Sequence, residues 1–283
     1  MPLIGFMQGR LSPLIDGKIQ SFPWPYWREE FAAAEKHGFP LMEWTLDLER
    51  LYENPLMTRE GRREIQHLMG RHGVAIPSLT GDCFMQAPFY KVTGKARERL
   101  LDDFKQVLES SAALGMRMVV LPLVDNGRLD TPVQEESLLT GLEKIPPILK
   151  DAQMQVGFES DFPPADLAAF IRKFDSRYFG INYDIGNSAS LGYNLQEEIN
   201  AYGPRIVGVH VKDRTLNGGT VPLGEGDANI PLTLRAISQA GYGGNFILQT
   251  ARAADGDHAG ALCRYRDLVA GWLREIEANG PAA

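Results

Sequence analysis

Eight short runs of apolar, β-branched or aromatic residues recur along the chain, at a mean spacing of about 35 residues. Several of them, such as MVVLPLV and IVGVHV, are apolar at nearly every position, which is typical of strands buried on both faces of a parallel sheet. The predicted strands are Leu3–Met7, Leu41–Leu46, Ala75–Leu79, Met118–Val124, Val156–Glu159, Phe179–Asp184, Ile206–Val211 and Asn245–Thr250.

The longer stretches between these runs carry helix signals. The clearest predicted helices are Tyr26–His37, Arg59–His72, Lys95–Leu114 and His258–Ala278. A glycine directly follows each of the first three, and glycine is a common helix stop. Eight strand–helix units predict an α/β fold, a (β/α)₈ TIM barrel. A two-domain doubly wound fold would also alternate strands and helices, but eight units leave no residues for a second sheet. With no linker dividing the chain, we expect a single domain over residues 1–283.

Composition narrows the class of protein. The 29 Lys and Arg against 36 Asp and Glu give a net charge of −7, which disfavours binding to nucleic acid. Cys83 and Cys263 lie far apart with no CxxC spacing, which excludes a disulfide scaffold and suits a reducing compartment. The sequence has no signal-peptide pattern and no apolar run of membrane-spanning length. We therefore expect a cytoplasmic protein with no membrane partner.

Polar residues stand at the ends of the last four predicted strands, where barrel enzymes carry their chemistry. They are Glu159, Asp184, His210 and Gln249. Singly, a carboxylate there often caps the next helix, and a histidine among valines is often a hydrogen-bonded core residue. Charged groups at the mouth of an apolar barrel are costly unless they are paired or bound to a cation, however. Four consecutive strands with such residues therefore favour a site for one divalent metal ion.

The chain resembles the sugar phosphate isomerase/epimerase group of the xylose isomerase-like barrels. The matching segments cover most of the sequence and are MQGRLSP, FESDF, YDIGNSASLGY, VGVHVKDR, LGEGD and FILQTAR. The resemblance implies one divalent ion (Mn, Mg, Co or Zn) held by a Glu, an Asp, a His and a second Glu. By position these ligands are Glu159, Asp184, His210 and Gln249. It also implies a small carbohydrate-like substrate and a homodimer or homotetramer.

Gln249 departs from the family pattern, in which the fourth ligand is a glutamate that also acts as an acid–base. An amide oxygen can coordinate an ion, but it cannot take up and return a proton near neutral pH. Glu159 is then the predicted base, and the second acid has to come from elsewhere or is not needed. Glu43 and Lys212 are the candidates. Lys212 shares a strand face with His210. If Lys212 is not catalytic, we expect it to form a salt bridge with Asp213 or Glu225. If Glu43 is not catalytic, we expect it to form an ion pair with a neighbouring basic residue.

Four further residues are candidates for binding the substrate: Gln8, Arg10, Asn187 and Arg252. Gln8 and Arg10 lie on the first strand–helix loop, and Arg252 follows the last strand. Either guanidinium would suit a carboxylate or a phosphate, although arginine is more often a plain surface residue. Asn187 either binds the substrate or shapes the loop after Asp184.

The first functional hypothesis is a metal-dependent isomerase or epimerase that removes a proton next to a metal-chelated carbonyl. A dehydratase or lyase begins with the same step and needs only one carboxylate, so Gln249 makes it the alternative. A third hypothesis is a barrel that binds a sugar without turnover. The related apurinic endonucleases are disfavoured because Asn187 and Asp227-Ala228-Asn229 stand where their zinc-binding histidine motifs lie.

Overall fold

The computed structural model describes residues 2–279 as a closed barrel of eight parallel strands. Each strand pairs with the next in chain order, and the last closes the ring on the first. The strands are β1 Ile4–Met7, β2 Met42–Thr45, β3 Ser78–Thr80, β4 Met118–Leu123, β5 Gln155–Ser160, β6 Phe179–Asp184, β7 Ile206–Val211 and β8 Phe246–Leu248. The predicted (β/α)₈ barrel is thereby confirmed.

Helices surround this ring and bury their apolar faces against it. They are α1 Glu29–Lys36, α2 Arg59–His72, α3 Asp82–Gln86, α4 Gly94–Ala113, α5 Pro132–Leu142, α6 Pro146–Ala152, α7 Pro164–Ile171, α8 Ile185–Leu191, α9 Leu195–Tyr202, α10 Ile230–Gln239 and α11 His258–Asn279. A short antiparallel hairpin, Asp213–Arg214 with Thr220–Val221, follows β7. Within residues 2–279, no helix combines the length and the apolar character that crossing a lipid bilayer demands.

The predicted helix boundaries agree with the observed ones where a capping residue marks each end of the helix. Helix α2 has the predicted bounds, because Thr58 Oγ1 accepts a hydrogen bond from Gly61 N at its start and Gly73 adopts a left-handed conformation at its end. Helix α1 begins three residues later than predicted. The residues before it form a turn instead, in which Tyr26 N donates to Pro23 O.

The third strand is shorter than its sequence pattern and displaced from it. The prediction was Ala75–Leu79, whereas the regular strand is Ser78–Thr80. Ala75 makes only an isolated bridge to Leu41, and Pro77 has no backbone N–H to donate to a neighbouring strand. The shift extends β3 to Thr80, which leaves Gly81 and Asp82 directly at the mouth of the barrel.

Candidate metal centre

Three of the four predicted ligands converge at the carboxyl ends of β5, β6 and β7. Glu159, Asp184 and His210 are all buried, and each offers a ligand atom within 4.8 Å of the other two. The strand register explains this, since Asp184 pairs directly with His210 across β6 and β7. Side chains at one depth of adjacent parallel strands meet at the same end of the barrel. Two carboxylates and an imidazole at this separation fit a single divalent cation.

His210 is oriented by a carboxylate behind it. Its Nε2 lies 2.7 Å from Glu43 Oε1, and its Nδ1 lies 3.4 Å from Glu159 Oε2. When Nε2–H donates its hydrogen bond to Glu43, Nδ1 is the nitrogen left to coordinate a metal ion. Asn182 Nδ2 lies 3.1 Å from the same Nδ1.

The charges around His210 favour a positive charge between Glu43 and Glu159. Burial by itself lowers the pKa of His210, but the charges of Glu43 and Glu159 and their hydrogen bonds raise it to about 10. Burial by itself raises the pKa of Glu159, yet His210 holds it below its ordinary value. Glu159 therefore stays ionised, as a metal ligand must be.

Glu43, one of the two candidates for the second acid–base, lies against His210, and its role in proton transfer stays a prediction. Its side chain is completely buried. Ser78 Oγ donates to Oε2 at 2.5 Å, and Thr80 Oγ1 donates to Oε1 at 2.6 Å, next to the contact with His210. Burial raises the pKa of Glu43, but His210 and the two hydroxyls lower it below the ordinary range. The position suits a group that orients His210.

Asp184, Lys212 and Asn187 form the polar rim beside the ligand cluster. Asp184 Oδ1 caps α8 by accepting from Asn187 N at 2.9 Å. Lys212 Nζ lies 2.7 Å from Asp184 Oδ2, as an ion pair without hydrogen-bond alignment. Asn187 Nδ2 donates to Glu159 Oε1 at 2.7 Å, so it holds the predicted base. Lys212 thus faces the site as predicted, and its ion pair is with Asp184 instead of Asp213 or Glu225.

Gln249 reaches the mouth from the end of β8. Its Nε2 donates to Gln20 Oε1 at 2.9 Å. Its Oε1 is buried and receives no hydrogen bond from any described residue. A buried carbonyl oxygen without a donor is costly, and a cation would satisfy it. The donor set of Glu159, Asp184, His210 and this amide oxygen therefore fits a divalent ion.

The other predicted substrate-binding residues already make hydrogen bonds to the protein's own backbone. Gln8 is buried, and its Oε1 accepts from Thr45 N at 3.1 Å. The Arg10 guanidinium donates to the carbonyl oxygens of Thr250 and Ile19 at 3.0 and 2.7 Å. Arg252 donates to Ser12 O at 3.1 Å. Their roles in substrate binding stay predictions.

Two residues near the site escaped the sequence analysis. Asp82 begins α3 just after β3 and is 7% exposed, and Gln20 Nε2 donates to its Oδ2 at 2.7 Å. The signal for Asp82 was an acid just after the third apolar run, in SLTGD, three residues beyond the predicted end of that strand. Gln20 lies in an irregular loop whose sequence gives no such signal.

Fold and sequence together define the class of this protein. The chain belongs to the xylose isomerase-like TIM barrel family, whose model matches residues 31–276. It is 25% identical over 261 residues to L-ribulose-5-phosphate 3-epimerase UlaE from Escherichia coli O1:K1 / APEC, a match that covers 86% of this chain and 88% of that protein.

Two solved structures are similar over nearly their whole length. An L-ribulose 3-epimerase superposes with a TM-score of 0.75 at 16% identity and covers 99% of this chain and 97% of its own. A xylose isomerase-like barrel from Mycobacterium smegmatis, in complex with magnesium, has a TM-score of 0.71 at 17% identity and covers 97% of each chain. The two structures confirm the fold, and the epimerase relative bears out the prediction of an enzyme of the isomerase or epimerase kind.

Proposed function

We propose that the chain is a divalent metal-dependent epimerase that acts on a small ketose or ketose phosphate. The observation that carries the proposal is the convergence of Glu159, Asp184 and His210 within 4.8 Å at the barrel mouth. Its support in sequence is the similarity to an L-ribulose-5-phosphate 3-epimerase. Glu159, Asp184, His210 and Gln249 would hold the ion.

A bound divalent ion would supply positive charge that polarises the substrate carbonyl and stabilises the enediolate. Glu159 would take the proton from the carbon next to that carbonyl. Asn187 holds one oxygen of Glu159 at 2.7 Å and so fixes the direction of the base. Lys212, beside Asp184, would bind a substrate hydroxyl or phosphate oxygen. Glu43 would keep His210 in the tautomer that leaves Nδ1 free.

Glu159→Gln tests the role of the base. We expect the manganese-loaded variant to lose more than about 100-fold in the rate at which deuterium from D₂O enters L-ribulose or L-ribulose 5-phosphate, followed by NMR. Glu197→Gln, at an exposed position on α9, is the matched control and should behave as wild type. Circular dichroism should be unchanged in both. Exchange at the wild-type rate in the Glu159 variant would rule out this base.

Gln249 favours a second candidate, a dehydratase or lyase. Such an enzyme begins by removing the same proton but needs only one carboxylate, and Gln249 cannot serve as an acid–base. Mass spectrometry of the product separates the two, since epimerisation conserves mass and dehydration removes one water. A barrel that only binds a sugar would produce neither product nor deuterium exchange.

A further inference from the structure

Asp82 is a buried carboxylate at the barrel mouth with one oxygen free. Its Oδ2 accepts from Gln20 Nε2 at 2.7 Å, and no described group donates to Oδ1. The side chain starts α3 and is placed by the turn at Gly81, where a Cβ would come within 2.5 Å of the Phe84 ring. This close packing fixes the turn and therefore the carboxylate.

One side chain connects Asp82 to Gln249. Gln20 Oε1 accepts from Gln249 Nε2 at 2.9 Å, while the other end of the same amide donates to Asp82. Gln249 follows β8, which is three strands from β5 around the ring, so it approaches the site from a different wall than Glu159. Asp82 follows β3, two strands from β5 in the other direction around the ring, so it also enters the mouth from a wall other than that of Glu159.

The direction of these hydrogen bonds also decides where a proton on Asp82 would sit. Because Oδ2 is an acceptor from Gln20, the proton belongs on the free Oδ1. Burial, with the nearby charges of Asp47 and Glu159, raises the pKa of Asp82 to about 7. A group that titrates near neutral pH can both give and take a proton.

We propose that Asp82 is the second catalytic acid–base, replacing the carboxylate that Gln249 lacks. The assignment rests on the proposed epimerase function. Glu159 takes the proton from the substrate carbon, and the C–H electron pair forms the enediolate. Asp82 Oδ1–H then gives its proton to the other face of that carbon, and the carbonyl re-forms. Glu159 ends protonated and Asp82 ionised, and exchange with water or the reverse reaction resets them.

Asp82→Asn separates the two halves of this reaction. In D₂O, with L-ribulose and L-ribulose 5-phosphate as probes, we expect epimer formation by the manganese-loaded variant to fall at least about 100-fold. Deuterium should still enter the starting sugar at a rate within about threefold of wild type, because Glu159 continues to remove and return a proton on its own face. Asp151→Asn, at an exposed position on α6, controls for the loss of one charge.

Two further measurements exclude a merely structural role. The affinity of the Asp82→Asn protein for Mn²⁺, measured by calorimetry, should stay within about twofold of wild type. Adding Gln249→Glu should restore epimer formation at least about tenfold, since it returns a carboxylate to the position that Gln20 joins to Asp82. If Asp82→Asn does not fold, Asp82→Ala can be used instead to compare deuterium exchange with epimer formation.

The assignment is wrong if epimer formation by the folded Asp82 variant is unchanged, if exchange is lost together with it, or if Gln249→Glu restores nothing. Failure of the proposed function looks different. In that case the metal-loaded wild-type protein itself forms no epimer from either probe, and both proposals fall.

Discussion

Glu30 is a carboxylate buried beneath the first loop of the barrel, where it organises backbone instead of facing solvent. It is 1% exposed and accepts hydrogen bonds from Gly9 N at 2.9 Å and from Leu11 N at 3.1 Å. Gly9 has a φ of +91°, a conformation that few other residues adopt. Since Gln8 and Arg10 flank this turn, the carboxylate of Glu30 fixes the loop that carries both.

Glu30 should make the stability of the protein depend on pH. Burial raises its pKa from 4.5 to about 7, despite the backbone hydrogen bonds. The folded state therefore binds the proton more tightly than the unfolded state. The stabilisation is complete below about pH 4.5 and is lost as the pH rises through about 7. Relative to Glu30→Gln, wild type should lose about 1–3 kcal/mol of unfolding free energy between these limits.

Urea denaturation of both proteins at several pH values measures this difference. Glu29→Gln provides the matched control, because Glu29 is the exposed neighbour on the same helix. Its difference from wild type should not vary with pH over the same range. A constant difference between wild type and Glu30→Gln would contradict the assigned burial effect.

Helix α2 contains two glycines in opposite situations. Gly61, in its first turn, packs so closely on the preceding 3₁₀ turn, Pro55–Met57, that a Cβ would overlap the backbone of Pro55. Gly70, near the other end, has open space around it. The same helix thus needs glycine at one position for packing and tolerates it at the other.

Gly61→Ala should destabilise the protein by about 2–3 kcal/mol, because rigid backbone cannot yield to the added methyl group. Gly70→Ala should stabilise it by about 0.5–1 kcal/mol, since alanine restricts the unfolded chain and favours helix. Thermal and urea unfolding of the two variants measure both signs. Equal effects would mean that α2 does not pack on Pro55 in this way.

On the scale of the whole molecule, the proposed ion site joins four consecutive strand ends, β5 to β8. Two carboxylates and an imidazole come together only when β5, β6 and β7 pair side by side. A ligand that binds the folded state and not the unfolded one stabilises the fold.

Saturating Mn²⁺ should therefore raise the melting temperature. At about 100 times the dissociation constant the gain is about 2.7 kcal/mol, which corresponds to roughly 4–6 °C for a domain of this size. EDTA should reverse it. Asp184→Asn keeps an oxygen that can cap α8 but loses a charged ligand, so its shift should be much smaller. Glu197→Gln should keep the full shift. An equal shift in the Asp184 variant would place the ion elsewhere.

Local patterns in the sequence were enough to predict the barrel and the depth at which its candidate metal ligands lie. Apolar runs with helical stretches between them define strand–helix units, and residues at the ends of parallel strands share one edge. Glu159, Asp184 and His210 were predicted in this way, and the structure places their ligand atoms together. The third strand was misplaced because Pro77 interrupts pairing within an otherwise apolar run.

What the sequence determined by itself is thus the order of the elements, the end of the barrel that carries chemistry, and the residue types placed there. Only the tertiary structure decided which polar groups meet. It buried Glu43 behind His210, and it linked Gln20, from an irregular loop, to both Gln249 and Asp82. Such contacts join residues 62 to 229 positions apart, and they depend on ring closure and loop packing, which no local pattern encodes.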